Sequence, residues 1–288
     1  MQDAITAGPR GPRRTRTLAV LGDSVAVGMG DPVPGGWRGF APLLAEALGA
    51  AELANVGSSG ARIGAVHDVQ LPAALRAAPD AAVVMVGMND TMRSDFDAGR
   101  LRQQLNDVVR ALAAAGAVVV TIRYHDHGRV FRLPGPLRKA LARRIDELNR
   151  ILDAVAAEHA AGVVDLDRLP GAYHPATWSV DRLHPSELGH RMLAAAFADR
   201  FAAAGLAVPA TVSLECSGGA RVSGFDHLRW LLAKGVPWLF GRGHHLLRYS
   251  LKILLRTVLP PRRILPSTED SKRGANPEKT LGNVAAPD

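Results

Sequence analysis

Short apolar blocks alternate with longer amphipathic ones through the middle of the chain. Leu18-Ala-Val-Leu-Gly-Asp-Ser-Val25 is an apolar run that ends in Gly-Asp-Ser. Ala51–Val56, Ala81–Val86, Ala117–Arg123 and Gly162–Leu166 are four further runs of strand length. Those without interrupting polar residues, Ala81–Val86 above all, read as parallel strands buried on both faces. Between them, apolar residues recur at helical spacing over Trp37–Leu48, Ile63–Ala78 (weakened at Pro72), Asp97–Ala115 and Leu137–Ala160. A last core helix starts at Pro185, where proline suits a first helical turn, and runs to about Ala204. Val25–Gly36, Tyr124–Pro136 and Asp167–Leu183 read as loops or irregular segments.

Strands alternating with helices predict an α/β fold, a parallel sheet covered on both faces through right-handed crossovers. Ligands then sit beyond the carboxyl ends of the strands. Each apolar run is followed by a polar cluster, so the fold gathers these clusters on one edge.

Composition narrows the class. A hydrophobic fraction of 47% and a charged fraction of 22% are globular values. The net charge of +8 divides into +3 over residues 1–17, −1 over 18–206 and +6 over 207–288. A neutral core with basic ends argues against nucleic acid as a partner, because a nucleic-acid-binding domain carries its charge on the folded face. One cysteine, Cys216, forms no internal disulfide. Met1–Thr17 lacks an apolar h-region and no run of about 18 uncharged apolar residues occurs. The expectation is a cytoplasmic protein with no spanning helix.

Four strand-end clusters make chemical sense together. Ser24 is a candidate nucleophile, and His184 in Asp181-Arg-Leu-His184 is a candidate base to take its proton. Asp181, three residues earlier, can hold the imidazole Nδ1–H. The N–H groups of Ser24 and Gly60, with the Asn89 amide, are candidate oxyanion donors. Gly-Asp-Ser is also ordinary turn chemistry, and Asp181-x-x-His184 alone could be a surface turn, so the weight lies in their co-occurrence.

With Gly22-Asp-Ser-Val25, Asn55-Val-Gly-Ser-Ser-Gly60, Gly87-Met-Asn-Asp90 and Asp181-Arg-Leu-His-Pro185 in this order, residues 18–204 resemble the SGNH hydrolases, the GDSL-type esterases and lipases. The resemblance implies Ser24, Gly60, Asn89 and His184 as the four name-giving residues, with Asp181 completing a catalytic triad. It implies a flavodoxin-like three-layer α/β/α sandwich with a five-stranded parallel sheet, ester hydrolysis, and neither metal nor cofactor. Substrates would be lipid, acylated small-molecule or O-acyl sugar esters. Gly57 competes with Gly60 as donor, and the spacing of five from Asn55 favours Gly60. No Gly-x-Ser-x-Gly elbow occurs, which disfavours the α/β-hydrolase fold.

Other features carry a bland and a sharp reading. Asp90 reads as a cap for the helix after it, and Asp23 is set aside in favour of Asp181. His125 and His127 alternate on an extended stretch, but without ligand partners at recognisable spacing they read as cleft wall rather than metal site. Arg38, Arg62 and Arg93 read as solvated surface, or as recognition of an anionic substrate group.

The expected domains are a disordered basic N-terminus at 1–17, a hydrolase domain at 18–206, an extension at 207–263 and a disordered tail at 264–288. In the extension, Arg248, Lys252 and Arg256 face away from Leu247, Leu251, Leu254 and Val258, which predicts a basic amphipathic helix over Leu246–Leu259. Its apolar face packs on the core or another subunit, or residues 228–259 lie on an anionic membrane surface. Alternatives to hydrolysis are acyl transfer by the same triad and an inactive membrane-associated scaffold.

Overall fold

The computed structural model describes residues 11–131 and 135–217. Its strands are β1 (Thr17–Gly22), β2 (Pro32–Val33), β3 (Gly36–Trp37), β4 (Glu52–Asn55), β5 (Ala81–Met85), β6 (Val118–Arg123) and β7 (Gly162–Asp165). Its α-helices are α1 (Ser24–Val27), α2 (Phe40–Leu48), α3 (Ile63–Ala65), α4 (Leu71–Arg76), α5 (Met88–Thr91), α6 (Ala98–Ala114), α7 (His127–Val130), α8 (Gly135–Glu158) and α9 (Glu187–Ala203).

Five strands form one parallel sheet in the order β4-β1-β5-β6-β7. Every residue of β1 and β5 is buried, which accounts for their unbroken apolar sequences. On one face α2 packs against α9, and on the other α6 packs against α8 and α4. The result is the expected three-layer sandwich. The chain leaves β1 for the β4 edge and returns to β5 on the other side of β1, so the topology reverses between β1 and β5. A crevice opens at such a point beyond the strand ends. Ser24 follows β1 and Asn89 follows β5, which puts both at that crevice.

The segment after Ser24 is not a plain loop. Its apolar residues form the one-turn α1, and Pro32–Val33 pairs with Gly36–Trp37 as a small antiparallel ladder, so α2 begins at Phe40 rather than Trp37. The expected helix over Ile63–Ala78 is continuous from Ile63 to Arg76 but contains a π-helical turn at Val66–Gln70, with Pro72 seated in the first turn of α4.

Residues on either side of 18–206 also make contacts with it. Arg13 bridges Leu206, donating its N–H to Gly205 O and accepting from Ala207 N, while its guanidinium donates to the carbonyls of Asp80 and Gly116. Asp80 in turn accepts the N–H groups of Arg16 and Thr17. The stretch expected to be a disordered basic N-terminus thus includes, at Arg13, a backbone that pairs with Gly205 and Ala207. Residues 207–217 run back over α2 and α9, where Ala210 N donates to Ala47 O and Arg191 Nη1 to Ser213 O. The predicted amphipathic helix at Leu246–Leu259, the 228–259 membrane contact and the 264–288 tail lie outside the described residues, as do residues 1–10. Among the described residues no helix is long and apolar enough to cross a membrane.

Gly189, in the first turn of α9, is needed for a close approach. A Cβ there would stand 2.3 Å from Thr177 O and 2.8 Å from Pro185 Cβ. Alanine in a helix ordinarily stabilises by up to about 1 kcal/mol over glycine. Here the clash outweighs propensity, and Gly189→Ala is expected to destabilise by about 1–3 kcal/mol. Thermal unfolding checks this, and a raised melting temperature would contradict it.

Candidate active site

The end of β1 is held by a side chain that spacing did not single out. Gln70, in the π turn, accepts from Gly22 N at 2.8 Å and donates to Gly22 O at 2.9 Å. Both contacts are buried, so the peptide that leads to Ser24 is fixed in register with the turn. Asp23 then caps α1 by accepting from Val25 N at 3.0 Å, and Ser24 stands as the first residue of that helix. Gln70 is only 3% exposed, and π turns such as the one it ends recur at functional sites.

His184 comes from the opposite end of the domain. Trp178 and Pro185 form an antiparallel bridge, closed by Ser179 N donating to His184 O and Ser186 N to Thr177 O. Within this loop Asp181 Oδ1 accepts from Ser179 Oγ at 2.7 Å, Leu183 N at 2.8 Å and His184 N at 3.0 Å. The loop meets the β1 end through bare backbone. Gly30, with φ of +101°, lies so close that a Cβ would be 2.0 Å from Pro185 O, and His190 Nε2 bonds Met29 O at 3.0 Å.

These two supports bring three predicted residues into line. His184 Nε2 is 2.8 Å from Ser24 Oγ, and His184 Nδ1 is 2.6 Å from Asp181 Oδ2. Burial pushes the Asp181 carboxyl up, but the His184 ring and backbone and the Ser179 hydroxyl more than offset it and hold the group at about 2. An ionised Asp181 only accepts, so Nδ1 carries the hydrogen and Nε2 is left to accept the serine proton.

Asn89 lines the same cavity as Ser24. Its Nδ2 donates to Ala61 O at 3.1 Å and to Asp23 Oδ2 at 3.3 Å. Gly60 is exposed, at φ of +75°, and next to Ala61. Gly57 donates its N–H to Asn55 Oδ1 and packs tightly on Ala26.

A cavity of about 90 Å³ adjoins Ser24. Met85, Met88, Met92, Leu169, Met192 and Leu193 give it an apolar wall, and Tyr124, His125 and His127 also line it. The cleft-wall reading of the His125–His127 stretch therefore agrees with the structure. Among the described residues no three His, Cys, Asp or Glu side chains converge as metal ligands.

Several bland readings need correction. Asp90 caps α3, not the helix after it: its carboxylate accepts from Ile63 N and from Arg62 Nε. Arg62 also pairs with Asp95, so it is engaged rather than solvated. Arg38 is held by Asp31, Glu187 and Ser217. Asp23 is buried beside Asn89, and burial pushes its carboxyl up to about 6 against the opposing pull of the Val25 N–H.

Residues 20–192 match the GDSL-like Lipase/Acylhydrolase family. The GDSL-like esterase Rv1075c of Mycobacterium tuberculosis (strain ATCC 25618 / H37Rv) is 34% identical over 188 residues, which are 62% of this chain and 59% of that protein. The chain thus spans about three fifths of that relative's length. LAE5, an alpha/beta hydrolase enzyme from the metagenome of Lake Arreo, Spain, shares the fold with a TM-score of 0.54 at 22% identity, covering 66% of this chain and 96% of its own. So does a variant of Axe2, an acetyl xylan esterase from Geobacillus stearothermophilus, with a TM-score of 0.54 at 20% identity and coverage of 69% and 99%.

The buried histidines set an acid limit. Burial lowers His125 and His190 to about 4 and His127 well below its ordinary 6.5. The unfolded chain therefore binds more protons between about 6.5 and 4, and stability falls as pH drops through that window. Asp23, raised to about 6, and Asp90, also raised by burial, act in the opposite sense, but they are two groups against three. The melting temperature is expected to fall from pH 7 to pH 4; a flat or rising profile would contradict the burial.

Proposed function

The chain belongs to the GDSL-like lipase/acylhydrolase family, and on that premise we propose that it hydrolyses carboxylic esters through an acyl-enzyme on Ser24. The observation that carries this reading is the unbroken hydrogen-bonded line from Asp181 through His184 to Ser24 Oγ.

Ser24 attacks the ester carbonyl as His184 Nε2 takes its proton, and Asp181 stabilises the imidazolium that forms. The N–H groups of Ser24 and Gly60 and the Asn89 amide hold the oxyanion. Asn89 supplies its hydrogen from the longer of its two contacts, the 3.3 Å bond to Asp23. His184 then returns the proton to the leaving alcohol, and a water repeats the sequence to release the acid. The methionine and leucine wall supports an apolar group on the ester.

Acyl transfer uses the same intermediate with an alcohol in place of water, and a lipid, acylated small-molecule or O-acyl sugar ester satisfies the same chemistry. An inactive scaffold would have no use for an aligned Ser24. Peripheral contact with an anionic membrane through residues 228–259 belongs to this proposal as well. It rests on the basic, leucine-rich sequence there.

With p-nitrophenyl butyrate, Asn89→Ala is expected to lower kcat about 10²–10³-fold, the cost of one oxyanion donor. A competing alcohol is expected to leave the free acid as main product. Unchanged kcat would remove Asn89 from the mechanism, and transfer of most acyl groups to the alcohol would favour the transferase.

A further inference from the structure

The stretch Arg123-Tyr-His-Asp-His127 has a role the triad does not absorb. The chain leaves β6 at Arg123 and turns inward, so that His125 and His127 are each only 4% exposed. Both line the cavity that holds Ser24 and Asn89. Their rings are 4.8 Å apart, centroid to centroid, and both pack against Trp178, at 5.0 and 5.2 Å. Phe131 meets the edge of His127 at 4.7 Å. This aromatic cage fixes the rings but leaves polar atoms over. Among the described residues, His125 Nε2 and both nitrogens of His127 have no hydrogen-bond partner.

Buried polar atoms without partners are uncommon, because each was hydrogen-bonded to water in the unfolded chain. Here three such atoms, each fully buried, belong to two adjacent rings whose residues line an otherwise largely apolar substrate cavity. A plain hydrocarbon slot would be better lined by leucine. The pair does not make a cation site, since no third ligand of the usual types converges on it among the described residues. Nor does the cavity suit an anion: no lysine or arginine lines it among the described residues. Burial also keeps both imidazoles neutral. A neutral imidazole offers one donor and one acceptor.

We propose that His125 and His127 form a hydrogen-bonding subsite inside the cavity, which takes a neutral oxygen-bearing group, a hydroxyl or carbonyl, on the portion of the ester that enters it. This rests on the reading of the chain as an ester hydrolase. Recognition works by exclusion as well as attraction. A substrate without the oxygen buries the imidazole nitrogens unpaired, whereas one with it restores the bonds they lost on folding.

Two matched pairs test the subsite and separate its sources. p-Nitrophenyl hexanoate against p-nitrophenyl 5-oxohexanoate places the oxygen on the acyl side; hexyl acetate against 6-hydroxyhexyl acetate places it on the alcohol side. In one pair the oxygen-bearing member is expected to have a kcat/KM about ten-fold higher, the value of about one net hydrogen bond. That ratio should collapse to about two-fold or less in His127→Phe and be kept in His127→Gln, which retains a donor and an acceptor. His125→Phe provides a second apolar variant should His127→Phe fail to fold. Hydrolysis of all four esters without preference, or an equal ratio in wild type and both phenylalanine variants, would overturn the subsite alone. No hydrolysis of any of the four would overturn the hydrolase reading and the subsite with it.

Discussion

One hydrogen bond, from Ser24 Oγ to His184 Nε2, joins parts of the chain 160 residues apart in sequence. Most of the fold can be read as support for it. The serine end depends on β1, which is buried along its length, on the Gln70 clasp of Gly22 and on Asp23 capping α1. The histidine end depends on a closed loop whose aspartate takes bonds from the loop's own backbone before it takes the imidazole. Between the two ends the closest packing is at Gly30, where only a hydrogen fits against Pro185 O. Pre-organisation of this kind matters because a general base must lie within hydrogen-bond reach, about 3 Å between heavy atoms, of the group whose proton it takes.

The same region is braced from outside. Arg38 joins Asp31, beyond α1, to Glu187 at the start of α9, and Glu187 also takes the N–H and hydroxyl of Ser217. Residues 211–217 are thereby tied to the helix that begins three residues after His184. These ion pairs are mostly buried on the carboxylate side, with Asp31 only 2% exposed, and so are screened far less than surface pairs. Ser217 is therefore linked directly to the helix that follows His184.

The sheet was legible because central parallel strands such as β5 write themselves as short unbroken apolar runs alternating with amphipathic helices, although its strand order was not. The candidate site residues were legible as candidates because each stands just beyond a strand end or in a short motif such as Asp181-x-x-His184. What escaped were long-range polar contacts. Gln70 has nothing in its local sequence that points to Gly22, 48 positions away. Asp90 looked like a cap for the helix after it because local spacing cannot show that Ile63 N lies within its reach. Arg38 and Arg62 looked solvated because nothing near them in sequence advertises Glu187 or Asp95. Arg13 was misread for a related reason: side-chain charge dominated a stretch whose backbone pairs with Leu206. Helical periodicity likewise carried no sign of the π turn at Val66–Gln70, which depends on where Gln70 must reach.

The central claim is that His184 activates Ser24 and no other hydroxyl. Treatment with a fluorophosphonate, followed by intact mass and peptide mapping, reads this directly. The account predicts stoichiometric modification of Ser24, abolished in Ser24→Ala and strongly slowed in His184→Ala. An unmodified protein, or modification elsewhere that persists in Ser24→Ala, would contradict it.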